Sequence, residues 1–507
     1  MATPAEKLAE SLAALKTLQD SNAAAIRANQ LTRTHRQRLL QNGFIQEVMK
    51  GWYIPTRPDE TTGETTGWYA AYWPFCADYL TARFGEDWCL GPEVSLNLQV
   101  GDWTVPRQLL VRSPRGGNKP TGLLHGTSLF DLRLDLPPAS QTEVKDGLRL
   151  VSLAPALVHV APAQFTGNAM NLRAALAMVD DPSNLLRHLL EGGHTVVAGR
   201  LAGAFRNIGR VQVADTIVDT MKSAGYAVQE TDPFGDKLAI VFAREQTSPY
   251  VNRLRLTWNA MRKNVIKNFP PAPSRRPNTA AYLRRIEGLY VNDAYNSLSI
   301  EGYRVSEALI ERVRAGPWNP DDIAGDRAHR DALAARGYWQ TFQRVGDSIR
   351  QVLDGRDAGA IAEAQHGAWY RELFAPSVAA GIVSAADLAG YRNTPVFIRR
   401  SMHVPPRSAA VRELMPAFFA LLKEEKDAAV RVVLGHFLFV YIHPYTDGNG
   451  RIGRFLMNVM MASGGYPWTV IPLDRRDNYM SALEAAGVKH DIVPFTRLLA
   501  GLVESNR

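Results

Sequence analysis

The chain has 507 residues, 46% hydrophobic and 21% charged, and its 58 lysines and arginines against 50 aspartates and glutamates leave a net charge of +8. That length exceeds one ordinary core and the composition is globular, so two or three folded domains are expected and large-scale disorder is excluded. Two cysteines, Cys76 and Cys89, exclude a disulfide framework and a four-cysteine zinc site, and both read as buried thiols.

The positive excess is spread over the chain, so it admits nucleic acid or acidic protein surfaces without selecting either. The first ten residues lack the basic-then-apolar pattern of a signal peptide, and no apolar stretch is long and uncharged enough to span a bilayer. A cytoplasmic protein with no membrane partner is the expectation.

Residues 8–18 are amphipathic, residues 31–43 read as a basic helix ended by Asn42 and Gly43, and residues 44–54 read as a hairpin turning at Lys50 and Gly51. Helix, basic helix and hairpin in that order make a winged helix-turn-helix. This part resembles the N-terminal module of AbiEi-type antitoxins. In such a module Arg33, Arg36, Gln37 and Arg38 would enter the major groove of duplex DNA and Lys50 would reach a phosphate, although winged helices also serve as protein adaptors.

Between about residues 60 and 265, residues 94–100 and 132–136 alternate like half-buried strands and residues 182–190 look helical, which together suggest an α+β domain. No catalytic constellation is visible there, and Gly116 with Gly117 reads as a hairpin tip. The proline-rich residues 268–277 are the best linker candidate.

A helix is expected from about Asn278 to Glu301, with Gly302 ending it; Ser297 and Glu301, four apart, share a face, so the hydroxyl can orient the carboxylate. Residues 395–406, which include Val396, Phe397, Ile398 and Arg399, read as a short β-hairpin. Two apolar helices follow, over residues 430–442 and 455–462. His436, inside the first of them, is read as a core residue.

The loop between these helices is His443-Pro-Tyr-Thr-Asp-Gly-Asn-Gly-Arg-Ile-Gly-Arg454. Gly448 and Gly450 allow positive φ and close backbone approach to an anion, and the following helix turns its positive end to the same place. Arg451 and Arg454 lie on one face in its first turn, where arginine opposes the dipole unless an anion neutralises it. Asp447 can hold Mg²⁺ against phosphates, and His443 can take a proton from an attacking hydroxyl. The string reads as a site for phosphate chemistry.

That string resembles the signature of the Fic (Fic/Doc) family, with Tyr445 where the family usually has phenylalanine, and the resemblance covers approximately residues 280–500. It implies transfer of AMP from ATP, with Mg²⁺ or Mn²⁺, to a Ser, Thr or Tyr hydroxyl of a target protein. By that resemblance His443 is the general base, Asp447 the metal ligand, Gly448, Asn449 and Gly450 the anion hole, Arg454 the γ-phosphate clamp, and Tyr479 a wall of the adenine pocket. Residues 395–406 would be the flap that clamps the target segment by strand addition. Residues 297–302 fit the family's inhibitory helix, so that Glu301 would pair in bidentate fashion with Arg454 and exclude the γ-phosphate.

The expected chain is therefore multidomain: a winged helix-turn-helix at 1–60, an α+β domain at 61–265, a linker at 266–280, and a mainly α-helical Fic fold with a β-hairpin flap at 281–507. A self-inhibited adenylyltransferase leads. Removal of AMP from a modified protein and a DNA-binding regulator with a Fic sensor stay open, as does homo-oligomerisation.

Overall fold

The computed structural model describes residues 3–20, 25–56, 58, 65–235, 248–274, 277–315 and 330–506. The chain divides into two compact units, one of residues 1–253 with 397–404 and the other of 254–396 with 405–507. Arg275 and Arg276, in the proline-rich linker candidate, lie outside the described residues.

In the first unit, α1 (Pro4–Asp20), β1 (Ile26–Arg27), a 3-10 turn at Ala28–Gln30, α2 (Arg33–Gln41), β2 (Ile45–Met49) and β3 (Trp52–Pro55) follow in order. The Thr32 hydroxyl accepts from the His35 N–H and starts α2; Gly43, at φ 72°, follows its end. β2 and β3 form a hairpin whose turn is Lys50–Gly51, with Gly51 at φ 82°, and β1 adds to the far side of β3. Leu15, Ile26, Leu31, Leu39, Ile45 and Tyr53 make a small separate core beneath these elements.

The larger core of this unit is aromatic. α3 (Thr66–Phe84) buries Trp68, Tyr72, Trp73 and Phe75 beside a mixed sheet of order β4-β5-β7-β6, formed by β4 (Cys89–Leu90), β5 (Gln108–Ser113), β6 (Pro120–Gly122) and β7 (Ser128–Arg133). β8 (Thr142–Lys145) and β9 (Leu148–Val151) pair as a hairpin. Residues 92–99 are helical, as α4 (Pro92–Gln99), against the expected strand at 94–100. Pro92 at the first helical position sets the entry, and Pro92, Ser95, Leu96 and Gln99 share a buried face at helical spacing, which outweighs the alternation of Val94, Leu96 and Leu98. The second expected strand lies mostly earlier than read, as β7. Gly116 sits in a turn where an added Cβ would meet the Leu132 carbonyl carbon at 2.5 Å. Six more helices lie among the described residues of the unit: α5 (Leu153–His159), α6 (Gln164–Gly167), α7 (Ala169–Ala177), α8 (Ser183–Glu191), α9 (Thr195–Asn207) and α10 (Val211–Ser223). Cys76 and Cys89 are free and buried.

The β-hairpin flap expected at 395–406 is not formed, since no strand occurs there. Pro395, Pro405 and Pro406 lack the N–H that a ladder needs. The backbone between them bonds elsewhere within the first unit: the Val105 N–H donates to the Met402 carbonyl at 3.0 Å and the Arg400 N–H to the Thr66 hydroxyl at 3.1 Å. Met402 and Val404 also pack on the aromatic core.

Among its described residues the second unit has helices and loops but no strand. α11 (Pro249–Asn268), in whose first turns the division falls, is followed by α12 (Thr279–Ile300), α13 (Glu307–Ala315), α14 (Arg330–Leu353), α15 (Ala358–Ala379), α16 (Ser408–Glu424), α17 (Ala428–Ile442), α18 (Asn449–Ser463), α19 (Arg476–Lys489) and α20 (Val493–Ser505). α17 and α18 are the apolar centre, buried along nearly their whole length. Among the described residues no helix is long and apolar enough to cross a membrane.

Candidate active site

Asp427 caps α17 by accepting from the Val430 N–H, and the helix ends abruptly at His443, whose backbone is left-handed at φ 53° and ψ 61°. Pro444 cannot continue the helix. A non-glycine residue in this region costs on the order of 1–3 kcal/mol and persists only where its surroundings hold it. Arg392 supplies that hold. Its buried guanidinium donates to the His443 carbonyl at 2.7 Å, to the Ile442 carbonyl at 3.4 Å, to the Thr394 carbonyl at 3.1 Å and to the Pro406 carbonyl, while its own N–H donates to the Pro444 carbonyl at 2.9 Å. Burial among carbonyls, with no carboxylate in contact among the described residues, pushes the arginine down to about 10.

The half-buried His443 ring places Nδ1 3.1 Å from the Val440 carbonyl, which makes Nδ1 the protonated nitrogen and leaves Nε2 able to accept a proton. Burial pushes its pKa down to about 4, reinforced by Arg392 and opposed by the Val440 carbonyl, Glu301 and Asp447. The imidazole is neutral at physiological pH. A consequence is measurable: activity that needs this base should hold from pH 7.5 to about 5.5 and fall only as pH drops through about 4, whereas an ordinary histidine would halve it near 6.5. A kcat/KM profile with its acid limb near 6.5 would contradict this environment.

The loop after His443 is braced from within. The Asn449 amide donates to the Tyr445 carbonyl at 2.8 Å and its oxygen accepts from the Tyr445 N–H at 2.9 Å. Tyr445 lies in the core with its ring stacked on Tyr370 at 3.8 Å, the packing role that phenylalanine could fill equally. Gly448, at φ 78°, is the N-cap of α18, and a Cβ there would meet Phe374 at 2.8 Å, so its freedom serves both the turn and the packing beneath it.

Asp447 is exposed at the mouth of the loop, accepting from the Gly448 N–H at 2.6 Å and lying 3.4 Å from Arg451 Nη2. Arg451 is buried, its guanidinium 5.0 Å from the Tyr303 ring centre and 5.1 Å from that of Phe374. It therefore anchors the loop rather than standing beside Arg454 over an open anion site.

Arg454 is buried one turn further on. Its Nε donates to the Ser297 hydroxyl at 2.8 Å, and its Nη2 donates to the Ser297 carbonyl at 3.0 Å and to Glu301 Oε1 at 2.7 Å; Nη1 is buried without a hydrogen-bond partner among the described residues. Burial alone would lower its pKa, but Glu301, with lesser help from Tyr479 and Tyr338, holds it above the ordinary value. α12 delivers both partners. Asn278 caps its start, Glu301 is its C-cap residue, and Gly302 at φ 89° ends it.

Two expectations about this contact are corrected. Ser297 touches Arg454, not the Glu301 carboxylate, and the ion pair is made through Nη2 alone rather than as a bidentate fork. Nε is engaged by Ser297, which leaves the fork geometry unsatisfied. The Glu301 carboxylate lies against the start of α18: a Cβ on Gly450 would stand 2.2 Å from Oε1. It thus occupies the positive end of that helix, which would otherwise receive an anion.

Tyr479 is buried, its hydroxyl 2.7 Å from His436 Nε2 and its ring against Phe495, so it offers no free face to a base. His436 is the core histidine expected, and burial pushes it down to about 4. Sequence reasoning missed Arg392, and gave no role to Arg476, which donates to the Ile300 carbonyl at 2.9 Å at the end of α12. It also missed Asp293, buried under Tyr338 and Trp468 and pushed up to about 6 by desolvation. None of the three carries a spacing signal.

In the first unit, Arg33, Gln37 and Lys50 are exposed. Arg36 and Arg38 are engaged internally: Arg36 donates to the Ala28 carbonyl at 2.6 Å and lies 5.9 Å from the Tyr53 ring centre, and Arg38 donates to the Lys7 carbonyl and the Ser11 hydroxyl at 2.8 Å. Val396, Phe397 and Ile398 are half-buried and Arg399 is exposed.

Comparison with known proteins agrees with the loop chemistry. Residues 363–461 match the model of the Fic/DOC family. The chain is 38% identical over 229 residues to the protein adenylyltransferase Fic of Nematostella vectensis, covering 44% of this chain and 48% of that protein. It is 36% identical over 128 residues to the protein of the same name from Drosophila grimshawi, covering 24% and 26%. The chain thus spans half or less of the curated relatives it matches. Among solved structures, residues 134–508 of Fic-1 from C. elegans align over 70% of this chain and 89% of that one at 18% identity and a TM-score of 0.37.

Proposed function

We propose, from the Fic/DOC-family domain that residues 363–461 carry, that the protein transfers AMP from ATP to a Ser, Thr or Tyr hydroxyl of a target protein and is held in check by its own Glu301. The observation that carries this reading is the 2.7 Å contact of Glu301 with Arg454 at the start of the anion-binding helix, beside a neutral histidine base.

His443 Nε2 takes the proton of the target hydroxyl as that oxygen attacks the α-phosphorus of ATP. The new P–O bond forms in line with the bond to the β-phosphate, which breaks to release pyrophosphate. The N–H groups at the start of α18 and the Arg454 guanidinium, whose Nη1 is unpaired, hold the charge of the leaving group. Asp447 fits a divalent metal: a single exposed carboxylate is the share that Mg²⁺ or Mn²⁺ takes from protein when phosphates and water complete its shell. Such an ion would neutralise charge on the phosphates. In this reading the Glu301 carboxylate, lying against Gly450 and Arg454, excludes the terminal phosphate. Incubating intact and Glu301-substituted protein with α-labelled ATP in a lysate tests the reading; label absent from protein in both would overturn it.

For the N-terminal elements the supporting observation is strand order. β1 pairs with β3 of the hairpin that follows the basic helix, an arrangement that fits a winged helix-turn-helix with Arg33 and Gln37 on the exposed face of α2 and Lys50 at the wing tip. If this part contacts duplex DNA, removing the charges of Arg33 and Lys50 should flatten the dependence of log affinity on log salt by about two. Arg36→Ala and Arg38→Ala should instead lower thermal stability. An unchanged salt slope after both charge removals makes the module a protein adaptor.

A further inference from the structure

The geometry points to Arg392 as a positioning residue that fixes His443 for proton abstraction and ties it to the base of the stretch 395–405; this rests on the transfer reaction proposed above. Arg392 is only 3% exposed, and among the described residues its guanidinium bonds to main-chain carbonyls alone. Two of these, Ile442 and His443, are the last residues before and at the left-handed cap from which the base projects. The other two, Thr394 and Pro406, bracket the stretch 395–405. One rigid cation therefore pins both ends of that stretch and the backbone of the base.

Charge and shape both matter. An arginine buried without a carboxylate is an uncommon choice for mere packing, because desolvation acts against it. The planar fork can reach four carbonyls at once, whereas a lysine ammonium has three donors on one atom. The cation also lies close enough to the imidazole to hold the base in its neutral form. Displacing that base by 1 Å is the kind of error that costs about 100-fold in rate without touching nucleotide affinity.

The experiment uses the full-length protein with Arg392→Lys, Arg392→Met and Arg392→Ala, alongside His443→Ala. Labelling the histidines with ¹³C and following the His443 resonance against pH reports its environment without reference to turnover. The expected results are an upward shift of the His443 titration in Arg392→Met, a kcat for transfer lower by about 100-fold with the KM for ATP unchanged, and partial recovery in Arg392→Lys. Millimolar guanidinium should restore part of the activity of Arg392→Ala. An unmoved His443 titration together with unchanged kcat would overturn the assignment. So would parallel loss of ATP binding and kcat that lysine does not relieve, because the arginine would then be a structural brace only. If wild type transfers no AMP, the proposed reaction fails separately, and the titration alone decides whether Arg392 sets the His443 environment.

Discussion

His443→Ala should abolish AMP transfer while leaving ATP affinity within about twofold. The base donates nothing to a phosphate in this geometry: Nδ1 is tied to the Val440 carbonyl and the backbone is held by Arg392. A positioned general base contributes about 10²–10⁴ in rate, and among the described residues neither His436, which is enclosed with Tyr479, nor Asp447, which accepts from the Gly448 N–H, stands in for it. Loss of that size in kcat with unaltered nucleotide binding, measured by equilibrium titration and single-turnover transfer, is the expected pattern. Transfer at the wild-type rate would remove His443 from the mechanism.

The loop at 443–454 was legible because its chemistry is local. Histidine, carboxylate, glycines and arginines within twelve consecutive residues dictate a turn between two helices whatever surrounds them, and the observed αL residues at His443 and Gly448 follow from that turn. The α12 start at Asn278 and end at Gly302 were legible for the same reason, being capping signals. Contacts between distant segments were not. Periodicity places Ser297 and Glu301 on one face, but only the fold shows that Arg454 comes between them. Arg392 lies in a loop with no pattern, and its role depends on carbonyls as far as 51 residues away. α4 was misread because alternation and helical spacing coincide over so short a run, and burial on one helical face decided between them. Arg36 and Arg38 show the same limit: a basic helix face is visible in sequence, but which arginines fold back onto α1 and the 3-10 turn is a tertiary fact.

Glu301→Gly should raise AMP transfer strongly, and the size follows from one bond. A hydrogen bond between ions is worth about 1.5–3 kcal/mol, and each ~1.4 kcal/mol of misplacement relieved is about tenfold, so a gain of roughly 10- to 100-fold at saturating ATP is expected. The contact joins a buried guanidinium to a carboxylate that keeps about a quarter of its surface open, which places the gain inside that range rather than above it. Glycine also removes the charge lying against Gly450, freeing the start of α18 for phosphate. Arg454 gains nothing by release unless a phosphate replaces the lost carboxylate, because Ser297 meets its Nε and part of Nη2 but, among the described residues, nothing bonds Nη1. Arg454→Ala in the same background should therefore cancel most of the gain, a coupling that a double-mutant cycle measures directly. Transfer by Glu301→Gly unchanged across ATP concentrations would rule out inhibition through this contact. Loss instead of AMP removal from a previously modified target would assign Glu301 to orienting a water, and the hydrolytic direction would become the physiological one.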